Sequence, residues 1–321
     1  MITISHPSKW IDDKITSVLR EQSHEAERSG RLTQEQLRII YANKWFKMFV
    51  PGDAGGLGLT LPQVLRVEEG LAWTDGSTAW VVTLCSGAGW FVGFIDRNIV
   101  RSIVHDSHFC IAGSGAVTGI AEANKDGYVV NGSWKYASGS LHATAFTANC
   151  KVDNDVKAFI FFPDEVVVKK TWNSMGMVAT GSHSFEIKDL QVPKERAFVI
   201  EPAHAILPDA IYRYPFLQLA ETTLAVNLSG LTSRFIDLCD FDATNSRNKL
   251  DDARQEFFES IDRPRFLEVS RASHNLVRVC REVINYLYPL CGLKAADKDL
   301  EINRVWRNFH TAAQHSIFNR R

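Results

Sequence analysis

The sequence predicts an α+β chain in three successive parts: an N-terminal helical domain, a middle antiparallel β-barrel or sandwich, and a C-terminal helical bundle. Three observations carry that prediction. Apolar residues recur at helical spacing up to about His105; short β-branched and aromatic runs then follow to about Ile200; helical spacing returns from about Asp209. The corresponding domains are 1–107, 108–203 and 204–321.

In the first part, "DDKITSVLREQSHEAERSGRL" mixes charges with apolar residues at helical spacing. In "LTQEQLRIIYANKW", Leu37, Ile40, Tyr41 and Trp45 fall on one face. "MFVPGDAGGLGLT" then breaks the pattern with Pro51 and four glycines, and Thr60 and Pro62 fit the start of the next helix. Ser77 to Ile95, "STAWVVTLCSGAGWFVGFI", is nearly free of charge and approaches membrane-spanning length. Its Ser, Thr and Gly suit a close-packed buried helix better.

The middle part reads as strands: "HFCIAGSG", "GYVVNGSWKYASG", "ATAFTANCKV", "KAFIFFP", "VVVKKTWNSMG" and "HSFEIKDLQVP". Lys125-Asp126-Gly127 and Asn131-Gly132 both carry turn chemistry, which predicts a hairpin. Gly113, Gly115 and Gly119 imitate a dinucleotide loop, but the third glycine is one residue late and the segment leads into a strand. His105 and His108 have metal-ligand spacing without a third ligand, and read as solvated residues at a helix end. In the last part, helices are expected at about 209–240, at 264–290 and from Lys298 to near the end, with "CGLKAADKD" as a turn. The charged stretch 241–263 leaves room for at most a short helix.

The totals exclude some functions. With 36 basic against 37 acidic side chains, the chain lacks the basic excess of a nucleic-acid protein. Six cysteines are scattered without a CxxC pair, which suits reduced thiols in the cytoplasm. The start, "MITISHPSKWIDDKI", lacks a basic patch followed by an apolar run, so neither a signal peptide nor a membrane partner is expected. The 19 Phe and 8 Trp hint at pockets for flat ligands.

Four segments, in order along the chain, resemble the acyl-CoA dehydrogenase superfamily. They are "VPGDAGGLGLTLPQVLRVEEGLAWTDGSTAW", "GYVVNGSWKYASGSLHATAF", "WNSMGMVATGSHSFEIKDLQVPKERAF" and "EINRVWRNFHTAAQH". The resemblance implies a flavin, FAD or FMN, lying against the β domain. Tyr136 then falls where the family has a flavin-contacting Trp, and Ser138 where it has a Thr that hydrogen-bonds near flavin N5. Ser114 and Thr118 sit near the family's other flavin-binding segment. Arg247 could stand where an arginine reaches the pyrophosphate. The same comparison makes the C-terminal bundle shortened, because a long second bundle helix is expected where only 241–263 remain, and it implies a homo-oligomer, dimer or tetramer. Taken alone, "YASGS" reads as a strand end with turn residues, and Arg247 as a surface-loop arginine.

The closing helix separates the branches of the family. Dehydrogenases that use it place a Glu about nine residues beyond the second Arg as the base; here that span is "NFHTAAQHS", and the nearest titratable group is His315. Two-component flavin monooxygenases similar to aromatic hydroxylases carry "Ser-Gly-x-x-His-Ala" and a "Gln-His"; this chain has "SGSLHA", with Ser138 and His142, and "AAQH", with His315. The resemblance therefore implies a reduced-flavin monooxygenase acting on a small aromatic or apolar substrate, with a separate flavin reductase as partner and His315 and Ser138 as catalytic residues. The substrate pocket would be lined in part by the Trp80–Phe94 helix. Two alternatives stay open: a dehydrogenase whose base is Glu221, and a cofactor-free scaffold that keeps the fold. By itself His315 reads as an imidazole at a helix C-terminus, and His142 as a structural residue.

Overall fold

The computed structural model describes residues 4–262 and 265–319. Five helices come first: α1 (Asp13–Ser29), α2 (Gln34–Ala42), α3 (Leu61–Thr74), α4 (Gly76–Gly89) and α5 (Arg97–Val104). Their ends are set by local chemistry. The Asp12 carboxylate accepts the Lys14 and Ile15 N–H groups at the start of α1, and Thr33 with Gln36 forms a capping box on α2. Thr60 and Pro62 open α3 as the sequence predicts. Lys44, at φ 54°, turns the chain after α2, so Trp45 leaves the face shared by Leu37, Ile40 and Tyr41. The charge-free segment is a core helix: α4 is buried on nearly all sides and is followed by a 3-10 turn, Trp90–Gly93. Among the described residues, no helix is long and apolar enough to cross a membrane. His105 caps α5, and the His108 ring meets the Tyr41 ring edge-on at 4.9 Å.

The middle part is one seven-stranded sheet in the order β5-β6-β2-β1-β3-β4-β7, with β1 (Ile111–Asn124), β2 (Gly127–Ala137), β3 (Ala145–Val152), β4 (Asp155–Phe161), β5 (Val167–Lys169), β6 (His183–Val192) and β7 (Ala197–Phe198). It refines the expected antiparallel barrel or sandwich in two ways. The sheet is not closed, and β1 pairs with β3 in parallel, because residues 138–144 carry the chain back before β3 begins. The β1–β2 hairpin turns at Lys125-Asp126-Gly127, where Gly127 has φ +140° and a Cβ would stand 2.1 Å from the Val192 carbonyl oxygen. Asn131-Gly132 makes no turn; it lies inside β2, where the bare Gly132 lets the Trp134 ring pack against the strand.

Beyond the sheet come α6 (Phe216–Asp237), α7 (Thr244–Asp262), α8 (Phe266–Leu287), α9 (Leu293–Ala296) and α10 (Glu301–Ala312). The first does not begin at Asp209. A 3-10 turn fills Ala210–Arg213, and Pro215 keeps the preceding residue out of helical conformation. The larger correction is α7: the charged stretch is a helix of 19 residues, so the bundle has its second helix. Its apolar face is Leu250, Ala253, Phe257, Phe258 and Ile261, all buried. Arg254 anchors it to α3, donating from Nε to Glu69 Oε1 at 2.7 Å with both side chains fully buried. Arg263 and Pro264, at the border assigned to the next helix, lie outside the described residues. One apolar core runs through both helical regions, and a second fills the sheet around Trp134, Phe146 and Phe185.

Candidate functional site

The end of β2 leaves the sheet's register. Pairing with β6 slips between Trp134 and Ala137, and Tyr136, between them, adopts φ 66°. A non-glycine residue held there costs on the order of 1 kcal/mol or more, and a bulge re-aims its side chain. The result is a tyrosine ring 68% exposed, backed edge-on by Trp172 at 6.1 Å. Trp172 is itself fixed: its Nε1–H donates to the Met177 carbonyl at 2.9 Å, and its backbone N–H donates to His183 Nδ1 at 3.0 Å. Burial, with Lys170 nearby, lowers the His183 pKa and keeps that ring a neutral acceptor.

Two residues on, Ser138 is buried, and its hydroxyl belongs to a chain with a fixed direction. A carbonyl can only accept, so Thr180 Oγ1–H donates to the Met177 oxygen at 2.7 Å. Thr180 must then accept from Ser182, 2.7 Å away, and Ser182 in turn from Ser138, at 2.8 Å. Ser138 therefore spends its proton inward and offers only lone pairs to anything else. The Gly139 N–H donates to the Thr180 carbonyl at 3.0 Å and Ser140 Oγ to the Gly181 carbonyl at 2.8 Å, which zips this turn to the 180–182 segment.

Helix α4 backs the turn. Gly139, at φ +78°, has no room for a side chain, since a Cβ would stand 2.6 Å from Cys85 Sγ. The Cys85 thiol donates to the Ser138 carbonyl at 3.6 Å. Five residues earlier, about 7.5 Å along the helix, the Trp80 ring meets the His315 ring at 6.1 Å. The structure thus places Ser138 two residues past Tyr136, and α4 touches both this turn, through Cys85, and the His315 ring, through Trp80. His315 is not in the final helix. Helix α10 ends at Ala312: the Thr311 and Ala312 carbonyls accept the Gln314 and His315 N–H groups in a tightened last turn, and the oxygen of the capping Ala313 accepts from Arg281 and Asn319 side chains instead of the Ile317 N–H. His315 instead opens a 3-10 turn, Ser316–Phe318, where its Nδ1 accepts the Ile317 N–H at 3.3 Å; in the neutral ring the proton is then on Nε2.

Residues overlooked in the sequence hold these parts together. Arg307 on α10 pairs with Glu27 of α1 and donates to the Met175 carbonyl at 2.7 Å. Asn308 Oδ1 accepts the Met177 N–H at 2.6 Å. A Cβ on Gly176 would stand 2.1 Å from the Arg307 oxygen, so only glycine lets this loop lie on α10. The hydroxyl run "ATGSHS" was the available signal for Thr180 and Ser182; nothing local marks Trp172.

Known proteins resemble the chain along most of its length. Residues 242–320 match the family model "Acyl-CoA dehydrogenase, C-terminal domain". The solved HsaA monooxygenase of Mycobacterium tuberculosis superposes with TM-score 0.88 at 21% identity, covering 98% of this chain and 93% of that one. The chain has the acyl-CoA dehydrogenase fold. Also similar are XiaF from Streptomyces sp., solved with FADH2 and glycerol (TM-score 0.87, 20% identity, 97% and 91% covered), and the indole-3-acetate monooxygenase of Pseudomonas putida, 23% identical over 93% of this chain and 87% of that protein. By sequence, HsaA of Mycobacterium tuberculosis, a flavin-dependent monooxygenase oxygenase subunit, is 25% identical over 68% of this chain, a match spanning 59% of HsaA.

Within this acyl-CoA dehydrogenase fold the remaining candidates are spread out. Ser114 is half-buried on β1, where pairing with β3 slips between Ser114 and Val117, and Thr118 donates to the Ser133 carbonyl at 2.7 Å. Arg247 sits on α7, not in a loop; it donates to Ser233 Oγ at 2.6 Å and pairs with Asp237, which also accepts from Trp73 Nε1 at 2.5 Å. Glu221 is buried with both oxygens engaged, by Ser270 Oγ at 2.5 Å and His274 Nε2 at 3.2 Å. His142 is held down to a pKa of about 4 by burial and by Arg31, which makes it a neutral residue of the turn before β3. A cleft of about 370 Å³ opens between Pro51–Pro62 and Asp209–Tyr214, and its walls do not include the Trp80–Phe94 segment.

Proposed function

We propose that the chain is the oxygenase component of a two-component flavin-dependent monooxygenase, taking reduced FAD or FMN from a separate reductase and hydroxylating a small aromatic substrate. The observation that carries this reading is the Ser138 hydroxyl, committed to donate inward, two residues past the exposed Tyr136 ring. A flavin at that place, as the resemblance implies, carries an N–H at N5 when reduced and a bare lone pair when oxidised. An acceptor-only serine matches the reduced form. Tyr136 would support the flat ring, with Trp172 holding it in place. A reduced flavin bound there would supply the electrons that activate dioxygen. His315, whose ring meets Trp80 of α4, would act at the reacting centre.

The alternatives fare less well. A dehydrogenase base needs a carboxylate open to substrate, whereas both oxygens of Glu221 are occupied by Ser270 and His274. A cofactor-free scaffold would have no use for an exposed aromatic held at strained φ. We further infer a cytoplasmic protein, since all six cysteines are unbridged, and a homo-oligomer covering apolar residues such as Leu267 and Leu293, 86% and 90% exposed.

The test is turnover with chemically or enzymatically reduced FAD and FMN, 18O-labelled dioxygen and a panel of phenols and indoles. The reading expects one labelled oxygen in an aromatic product, lost in His315→Ala with flavin affinity retained. A bound FAD bleached by an acyl-CoA, with no oxygenated product, would overturn it in favour of the dehydrogenase.

A further inference from the structure

Cys239, just past α6, and Cys291, at the end of the 3-10 turn Tyr288–Cys291, lie 52 positions apart in sequence, yet their sulfur atoms are 3.7 Å apart. Each thiol makes only a weak local bond, Cys239 to the Phe235 carbonyl and Cys291 to the Leu287 carbonyl, both at 3.4 Å. Both residues are half-buried. Cys85, Cys110, Cys150 and Cys280, by contrast, are fully enclosed. The two segments are also held face to face by an ion pair, Lys294 Nζ to Asp240 Oδ2 at 3.1 Å, one residue after the first cysteine and three after the second. Gly292, beside Cys291, has φ +61° and open space around it, so the backbone there can shift.

We propose that Cys239 and Cys291 are a peroxide-sensitive dithiol, oxidised by hydrogen peroxide to a disulfide that staples the end of α6 to the segment leading into α10. Closing from 3.7 Å to a bond of about 2.05 Å takes side-chain rotation and the loss of two weak S–H···O contacts. The chemistry balances in two steps. The Cys291 thiolate attacks one oxygen of hydrogen peroxide, giving a sulfenic acid and hydroxide; the Cys239 sulfur then attacks the sulfenic sulfur, forming the S–S bond and releasing water. Overall, two thiols lose two electrons and two protons, and peroxide is reduced to two waters. Cys291 goes first because burial pushes the Cys239 thiol up to about 12, while burial raises Cys291 less and a hydrogen bond from Cys239 favours its thiolate. Both shifts make the reaction slow, so the bond responds to sustained peroxide. This inference does not depend on the flavin reading.

The experiment treats the purified full chain with hydrogen peroxide, blocks remaining thiols after denaturation, and maps the peptides. The expected result is a peptide pair joined through Cys239 and Cys291, with the other four thiols still alkylatable, an unfolding midpoint that rises, and return of both on adding dithiothreitol. Cys239→Ser should stop at a sulfenic acid on Cys291, trapped by dimedone, without a rise in midpoint. Six free thiols after treatment, a bond between Cys85 and Cys110, or over-oxidised Cys291 without a cross-link would each overturn the proposal. Should Cys239→Ser not fold, the wild-type peptide map still decides.

Discussion

Glu68 and Glu69 are neighbours on α3, both fully buried, and their chemistry is opposite. Burial holds the Glu68 carboxyl well above the usual carboxylate range despite a hydrogen bond from Ser86, so it is a neutral acid. Glu69 accepts from Ser229 and from two nitrogens of Arg254, whose pKa burial would lower but Glu69 and Asp251 raise. The expected outcomes follow from that difference. Glu68→Gln, a neutral isostere of a neutral group, changes stability by less than about 1 kcal/mol. Glu69→Gln takes the buried carboxylate from the Arg254 guanidinium, leaving it the half-exposed Asp251 and the Ser5 carbonyl, and costs about 3 kcal/mol. Denaturant unfolding of the two variants checks both.

At the scale of elements, α7 decides how the bundle is built. Its sequence is so rich in charge that it reads as room for a short helix at most, yet Leu250, Ala253, Phe257, Phe258 and Ile261 recur at helical intervals and its one buried cation finds Glu69. Phe257→Ala should therefore destabilise the protein by about 3–5 kcal/mol, as for a core residue, where a loop phenylalanine would cost little; thermal unfolding measures it. The same contrast explains what the sequence made legible. The order of helices, strands and helices could be read because period and turn chemistry are local. The parallel β1–β3 pairing, the slip at Tyr136 and the end of α10 before His315 could not, because each depends on a partner outside its own segment: β3 for β1, β6 for Tyr136, and Arg281 of α8 for the Ala313 carbonyl past α10. Tyr136 and Ser138 were visible as residues, but the proton direction that makes Ser138 an acceptor comes from Thr180, Ser182 and the Met177 carbonyl.

Across the whole molecule, the sheet meets the N-terminal helices where residues 138–144 run beside α4 and the 180–182 segment. His142 lies in that joint, neutral down to about pH 4 in the folded chain, because burial and Arg31 oppose its charge. The unfolded chain takes up the same proton at about 6.5, so it binds more protons between the two values. Stability is then complete above about pH 6.5 and falls as pH drops towards 4, by about 2 kcal/mol after allowing for partial exposure. His142→Gln should flatten that part of the stability–pH curve; an unchanged slope would remove His142 from it. The joint also carries Ser138, so the most direct measurement of the whole account is an anaerobic titration of wild-type protein and Ser182→Ala with reduced and oxidised FAD and FMN. The account predicts that wild type binds the reduced form more tightly by about tenfold, the worth of one matched hydrogen bond. In Ser182→Ala, Ser138 can turn its proton outward and the preference should shrink towards equality. Equal affinity for both redox forms in wild type, or a preference untouched by Ser182→Ala, would contradict it.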